Sequence, residues 1–262
     1  MVRRSDAKLT GSVFTQTLVF GLGANPYASL SALTQTAAAL GVRVSGEALH
    51  QRFDRAAATC LEQVLYAAVR QVVAADPVVV PLLERFPEVV VQDSSCISLP
   101  EVLAPVWAGC GGAPAAGNAA LKLQLALDLR TGRLRGPQLH DGRESDRNAT
   151  LDHDLPPGAV RIVDLGFWDL AALADLQVRG VYWFSRAQAQ TSVQTADGQW
   201  WDLLALLQAQ ATQPLDLAVR LGRDQQVPAR LRAVPVPAAV ADERRQKLRR
   251  EAREAGEVVS AL

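Results

Sequence analysis

The segment Leu121-Lys-Leu-Gln-Leu-Ala-Leu-Asp-Leu129 sets a leucine at every second position. Successive side chains leave an extended backbone on opposite faces, so a period of two predicts a half-buried β-strand. Thr131-Gly132 is a turn signal, and Arg133–Leu139 can return as the hairpin partner. The chain must therefore build a sheet around this hairpin.

Two β-branched runs, Glu88-Val-Val-Val-Gln-Asp93 and Val160-Arg-Ile-Val-Asp164, each stop on an aspartate. Each reads as a buried strand that delivers a carboxylate to its C-terminal end, where open sheets place their active sites. A structural alternative is that each acid caps the next turn, Asp93 before Ser94-Ser95 and Asp164 before Leu165-Gly166. Held side by side, the two carboxylates could share divalent metal ions, which outlines a phosphoryl-transfer centre.

The remaining pattern predicts a short helix over Glu144–Leu151, a helix over Leu170–Val178 and a strand over Val181–Ser185. Strand, hairpin, helix, strand, helix, strand describes an α/β (α+β) domain with a mixed sheet. Beyond Arg186, Trp200–Leu207 reads as helix, and Leu215–Leu221 and Ala229–Val236 as strands. Asp242–Ala255 reads as a charged helix, capped by its aspartate and ended by Gly256.

The first 85 residues are rich in Ala and Leu, with Leu30, Leu33, Ala37 and Leu40 at helical spacing and Gly41 as the stop. Ser45 is the N-cap expected of a second helix bearing His50, Gln51, Arg52 and Arg55. Helix, tight turn and helix is the pattern that inserts its second helix into a DNA major groove, and equally that of an ordinary αα-hairpin. Val72–Val80, with Asp76-Pro77, reads as a linker to the sheet domain.

Bulk properties narrow the function classes. The 262 residues are 49% hydrophobic with zero formal net charge, enough for a substantial core and without a global polyanion signature. Residues 1–60 carry six basic against three acidic side chains, and 242–254 six against four. Such charge suits a polyanion or simply a solvated helix face. Cys60, Cys96 and Cys110 lack zinc or disulfide spacing and fit a reducing cytosol. No run approaches the roughly 20 apolar residues of a membrane span. Gly21-Leu-Gly23-Ala-Asn-Pro26 lacks the third glycine of a dinucleotide fingerprint and reads as a turn. His50, His140 and His153 are not at metal-ligand spacing. Asp141, Glu144, Asp146, Asp152 and Asp154 match no calcium loop and read as a solvated loop and helix face.

Gln92-Asp93-Ser94-Ser95, then Ile97-Ser98-Leu99-Pro100, resembles the first-aspartate motif of IS4-family DDE transposases, and Asp164-Leu-Gly-Phe167 resembles the second. Ala120–Asp128 with its Thr-Gly turn, Tyr182-Trp-Phe-Ser-Arg186 and Arg245–Gly256 come in the family's order. The resemblance implies a helical DNA-binding region (1–85), the first part of a ribonuclease-H-like core (86–186), a β-rich insertion (187–240) and a charged helix at the end (241–262). By that likeness Asp93 and Asp164 are catalytic and coordinate two Mg²⁺ ions. Arg52, Arg55 and Arg186 contact DNA, meaning transposon ends and target. The assembly has room for a homodimer, and the location is cytoplasmic. The family's catalytic glutamate sits in a Tyr-x2-Arg-x3-Glu-x6-Lys signature, and no tyrosine comes after Tyr182. The expectation is thus a chain truncated before its third acid, with none of Glu243, Glu251 or Glu254 assigned to that role. Two other readings stand beside it: a non-catalytic protein that competes for transposon ends, and a related nuclease taking its third acid from Glu144 or Asp146.

Overall fold

The computed structural model describes residues 8–72, 78–109, 118–152, 154–210 and 213–255. Cys110, His153, Gly256 and the centre of the expected linker lie outside them. The chain divides into two compact units, Met1–Arg85 with Val90–Glu144, and Phe86–Val89 with Ser145–Leu262. Among the described residues it forms two sheets. One is mixed, with β1 (Val89–Leu99), β2 (Ala119–Asp128) and β3 (Leu134–Asp141) antiparallel and β4 (Val160–Val163) parallel to β5 (Tyr182–Ser185). This is the expected α/β class.

The first unit begins with α1 (Gly11–Ala24), α2 (Leu30–Ala39), α3 (Gly46–His50) and α4 (Arg55–Val72). Their shared core is Leu9, Phe14, Leu18, Leu33, Leu49 and Ala57. Of the Gly-rich segment read as a turn, residues 21–24 close α1 and the turn begins only at Pro26. Gly21 is buried there, and a Cβ on it would lie 2.5 Å from Leu33 Cδ2. The glycine serves close helix packing. Gly41 does end α2: it takes φ +84°, its N–H donates to Ala38 O, and Val42 N–H donates to Ala37 O. Those two bonds are a Schellman motif, which only a left-handed residue can close without strain.

Ser45 caps α3 through Ala48 N–H, as expected. The second helix of the helix-turn-helix pattern is not continuous, however. α3 ends at His50, Arg52 lies in the turn, and Arg55 opens α4. The break is built by Asp54, whose Oδ1 accepts from Ala57 N–H at 2.7 Å, and by Phe53 packed edge-on against Phe14.

The β2–β3 hairpin forms where the alternation placed it. Asp128 organises its turn, accepting from Arg130 N–H and Thr131 Oγ1, and Gly132 takes φ +68°. Lys122, Gln124, Ala126 and Asp128 are buried, whereas Leu121, Leu123, Leu125 and Leu127 are only half-buried. Period two predicted two unlike faces, and tertiary packing chose the polar one for burial. Lys122 meets that demand by donating Nζ–H to the Glu144 carbonyl.

In the second unit Val160 N–H donates to the Glu88 carbonyl, and β4 leads through a 3₁₀ turn (Leu165–Phe167) into α5 (Leu170–Val178). The helix expected over Glu144–Leu151 is only a 3₁₀ turn at Asp146–Asn148, capped by Ser145. The stretch expected to be β-rich holds a separate antiparallel sheet in the order β7 (Trp200–Asp202), β6 (Ser192–Thr195), β8 (Leu215–Leu221), β9 (Val227–Ala233), with α6 (Leu203–Ala209). The helix read over Trp200–Leu207 therefore starts only at Leu203, where Asp202 caps it. The final helix α7 runs Ala238–Ala255, so Asp242 lies inside it and pairs with Arg245 at 2.9 Å instead of capping the start.

Candidate functional site

Asp93 does not end its strand. β1 continues to Leu99, and Asp93 stands opposite Leu125 of β2, on the leucine face of the hairpin. Residues 94–99 carry no strong alternation, so their strand character comes from pairing with β2. The Asp93 side chain is exposed, and its Oδ1 accepts from Ser94 N–H at 2.8 Å.

Asp164 does end its strand, and it also caps the next turn. It is exposed, and its Oδ1 accepts from Gly166 N–H at 2.9 Å as N-cap of the 3₁₀ segment. The strand end and the turn cap thus coincide at this residue. The buried side of β4 supports it: Val163 packs with Ala149 and Phe167, and Arg161 lies over the Phe167 ring at 5.5 Å. Arg161 Nε meets Asp152 Oδ2 at 3.1 Å, with the two side chains 5% and 13% exposed. Asp152 is thus no solvated loop acid but the counter-ion of a buried arginine, whose pKa burial pushes below the usual guanidinium value.

Asp146 is one of the acids the sequence offers as a third ligand, and the fold gives it a definite place. A Cβ on Gly166 would come 2.8 Å from Asp146 Oδ2 and 3.2 Å from Asp164 Oδ1, so the two carboxylates converge beside that glycine. The single O–H of Ser185 lies within hydrogen-bond reach of the Asp164 carbonyl at 3.3 Å and the Arg186 carbonyl at 3.0 Å, which brings the Ser-Arg end of β5 to the same strand end. Arg186 is exposed. Arg52, half-buried, and Arg55, exposed, belong to the helical unit with Asp93.

Each aspartate commits Oδ1 to a backbone N–H and, among the described residues, neither takes part in an ion pair. Exposed carboxylate oxygens are the hard donors that Mg²⁺ selects, so these residues fit such an ion. Among the described residues no three His, Cys, Asp or Glu side chains gather as a metal cluster.

The fold is a mixed α/β one, and comparison with known proteins identifies the family. The profile of the family described as Transposase DDE domain matches residues 84–254, more than half of the chain, and the protein belongs to that family. It is similar to the transposase for insertion sequence element IS231F of Bacillus thuringiensis subsp. israelensis, 29% identical over 159 residues, 60% of this chain and 33% of that relative. It is also similar to the transposase for insertion sequence element IS231C of Bacillus thuringiensis subsp. berliner, 31% identical over 165 residues, 62% of this chain and 34% of that relative. The chain spans about a third of the length of the curated relatives it matches. Among the described residues no helix is long and apolar enough to cross a membrane.

Proposed function

We propose that this protein acts in DNA transposition as a transposase of the IS4 type, binding transposon ends and directing metal-dependent strand cleavage and transfer in the cytoplasm. What supports the reading is the pair of exposed aspartates inside the matched segment. Each has one oxygen turned to a backbone N–H and, among the described residues, no cation neutralising the other. On this reading Asp93 and Asp164 are the metal-holding acids. Bound Mg²⁺ would supply charge stabilisation at the reacting phosphate. The chain's own task is to hold the acids still. The Ser94 and Gly166 amides fix the Oδ1 atoms, and the Arg161–Asp152 pair anchors β4 from its buried side. Arg52, Arg55 and Arg186 would position DNA through its phosphates, without reading sequence. A homodimer is the assembly expected on paired ends.

The test is nicking of duplex DNA carrying the cognate ends with Mg²⁺ or Mn²⁺, alongside Mn²⁺ binding measured by electron paramagnetic resonance. Asp93→Asn and Asp164→Asn should each abolish nicking and weaken Mn²⁺ binding while leaving DNA affinity intact. Undiminished nicking by both variants would refute the assignment. Tight binding of end DNA without nicking under either metal would favour the non-catalytic competitor reading.

A further inference from the structure

Gly166 lies in the 3₁₀ turn that follows β4, and its backbone does not require a glycine. It is not one of the glycines of positive φ, so an L residue could adopt its conformation. What excludes a side chain is the space beside it. A Cβ there would lie 2.8 Å from Asp146 Oδ2, 3.7 Å from Asp146 Cγ and 3.2 Å from Asp164 Oδ1. Both carboxylate oxygens thus lie within 3.2 Å of one point, and the missing side chain leaves them that space.

The packing of the second unit delivers the two acids to this point. Asp146 opens the 3₁₀ turn Asp146–Asn148, and Asp164 caps the 3₁₀ turn Leu165–Phe167. The two turns pack together, with Ala149, Val163 and Phe167 as their buried cluster. Asp146 is half-buried and Asp164 exposed, so the pair opens to solvent. Two nearby arginines are committed to other acids. Arg147 turns from its neighbour Asp146 to Asp169, which its Nη1 meets at 3.4 Å, and Arg161 pairs with Asp152 on the buried side of β4. Converging carboxylates repel unless a proton or a cation offsets their charge. Mg²⁺ is commonly held by one or two carboxylates, with waters and substrate phosphates completing its shell.

We infer that Asp146 is a further metal-holding residue, sharing with Asp164 a divalent cation beside Gly166. The inference rests on the transposase reading for the cation and adds to it a carboxylate from the turn that precedes β4. Gly166 then has a chemical reason: any larger residue would occupy the space between the two ligands.

The experiment titrates Mn²⁺ into the metal-free full chain by electron paramagnetic resonance, for wild type, Asp146→Asn, Asp164→Asn and Asp146→Cys. Thermal melts are taken with and without Mn²⁺. Asp146→Asn should weaken Mn²⁺ binding by at least about tenfold, the low end of what even outer partners of metal ligands contribute. Removing one charge of a repelling pair should leave the metal-free melting midpoint at or above that of wild type, and the rise on adding Mn²⁺ should shrink. Asp146→Cys exchanges a hard oxygen for a soft thiolate, so it should lose Mn²⁺ affinity and bind Cd²⁺ more tightly than wild type in calorimetric titration. A merely structural residue would give no such gain, and this variant decides the question if Asp146→Asn does not fold. A lowered metal-free midpoint with unchanged Mn²⁺ affinity would overturn the inference. Weakened Mn²⁺ binding in Asp164→Asn, with wild-type binding in Asp146→Asn and no Cd²⁺ gain, would overturn it and leave the transposase reading standing. Undiminished Mn²⁺ binding in both asparagine variants would overturn both.

Discussion

Asp152 is the counter-ion of the buried Arg161, and its loss should be costly. Replacing it by alanine removes the counter-ion of Arg161, a side chain only 5% exposed beneath the strand that ends at Asp164. The Phe167 ring face offers Arg161 an attraction of about 0.5–2 kcal/mol, too little to replace a desolvated carboxylate. Removing one partner of a buried ion pair costs about 3–5 kcal/mol, since the remaining charge stays desolvated. At about 2–4 °C per kcal/mol for a chain of this size, the melting midpoint should fall by about 6–20 °C. Asp152→Asn keeps a hydrogen-bond acceptor without the charge, and should fall between alanine and wild type. Thermal melts monitored by tryptophan emission report the change, since Trp168 and Trp183 pack edge-to-face in the same unit. The decisive variant is Asp152→Leu combined with Arg161→Met, which removes both charges together. It should recover most of the lost stability, since apolar replacement of a whole buried pair is near neutral. A single alanine variant costing under about 1 kcal/mol, or a double variant worse than the single, would refute the account.

Gly21→Val should drive a methyl group into Leu33 and cost about 1–3 kcal/mol by overpacking α1 against α2, read from urea unfolding of the helical signal. Asp169 caps α5 by accepting from Ala171 and Ala172 N–H, and Asp169→Ala should cost about 0.5–2 kcal/mol. The Ala172 amide is the foremost cause that holds its carboxyl below the ordinary value of 3.8. A depressed carboxylate stabilises fully above that value and loses its contribution as pH falls through the lower folded value. The wild-type advantage over Asp169→Ala should therefore shrink only in acid, in paired melts across that range. Gly166→Val would push against Asp146 Oδ2 and Asp164 Oδ1, so it should lower Mn²⁺ affinity by a larger factor than it alters DNA affinity, checked by resonance titration and anisotropy.

Local pattern carried far where a signal was dense and its partners near in sequence. The leucine alternation defines the β2–β3 hairpin, the helical spacing with Gly41 defines α2 and its stop, and Leu170–Val178 and Leu215–Leu221 have the bounds their patterns predict. The order of strands and helices was enough to expect a mixed sheet. The two aspartate motifs, taken with their flanking residues, pointed to the family whose profile matches. The elements depend on backbone periodicity, capping and chain order, and the family likeness on residue identity at the motifs, all of which belong to the sequence alone.

Tertiary structure decided everything that depends on a distant neighbour. Asp93 moved from a strand end to mid-strand because β2 supplies hydrogen-bond partners to residues 94–99, which have little strand character of their own. The polar face of β2 was buried instead of its leucines because burial is a property of what covers a face, and alternation fixes only that the faces differ. Asp152 passed from loop acid to buried counter-ion because Arg161 approaches it from β4, nine positions along the chain. Gly21 became a helix contact because Leu33 of α2 reaches it. A sequence specifies which side chains can be strand, cap or ligand, and only packing fixes which partner each one meets.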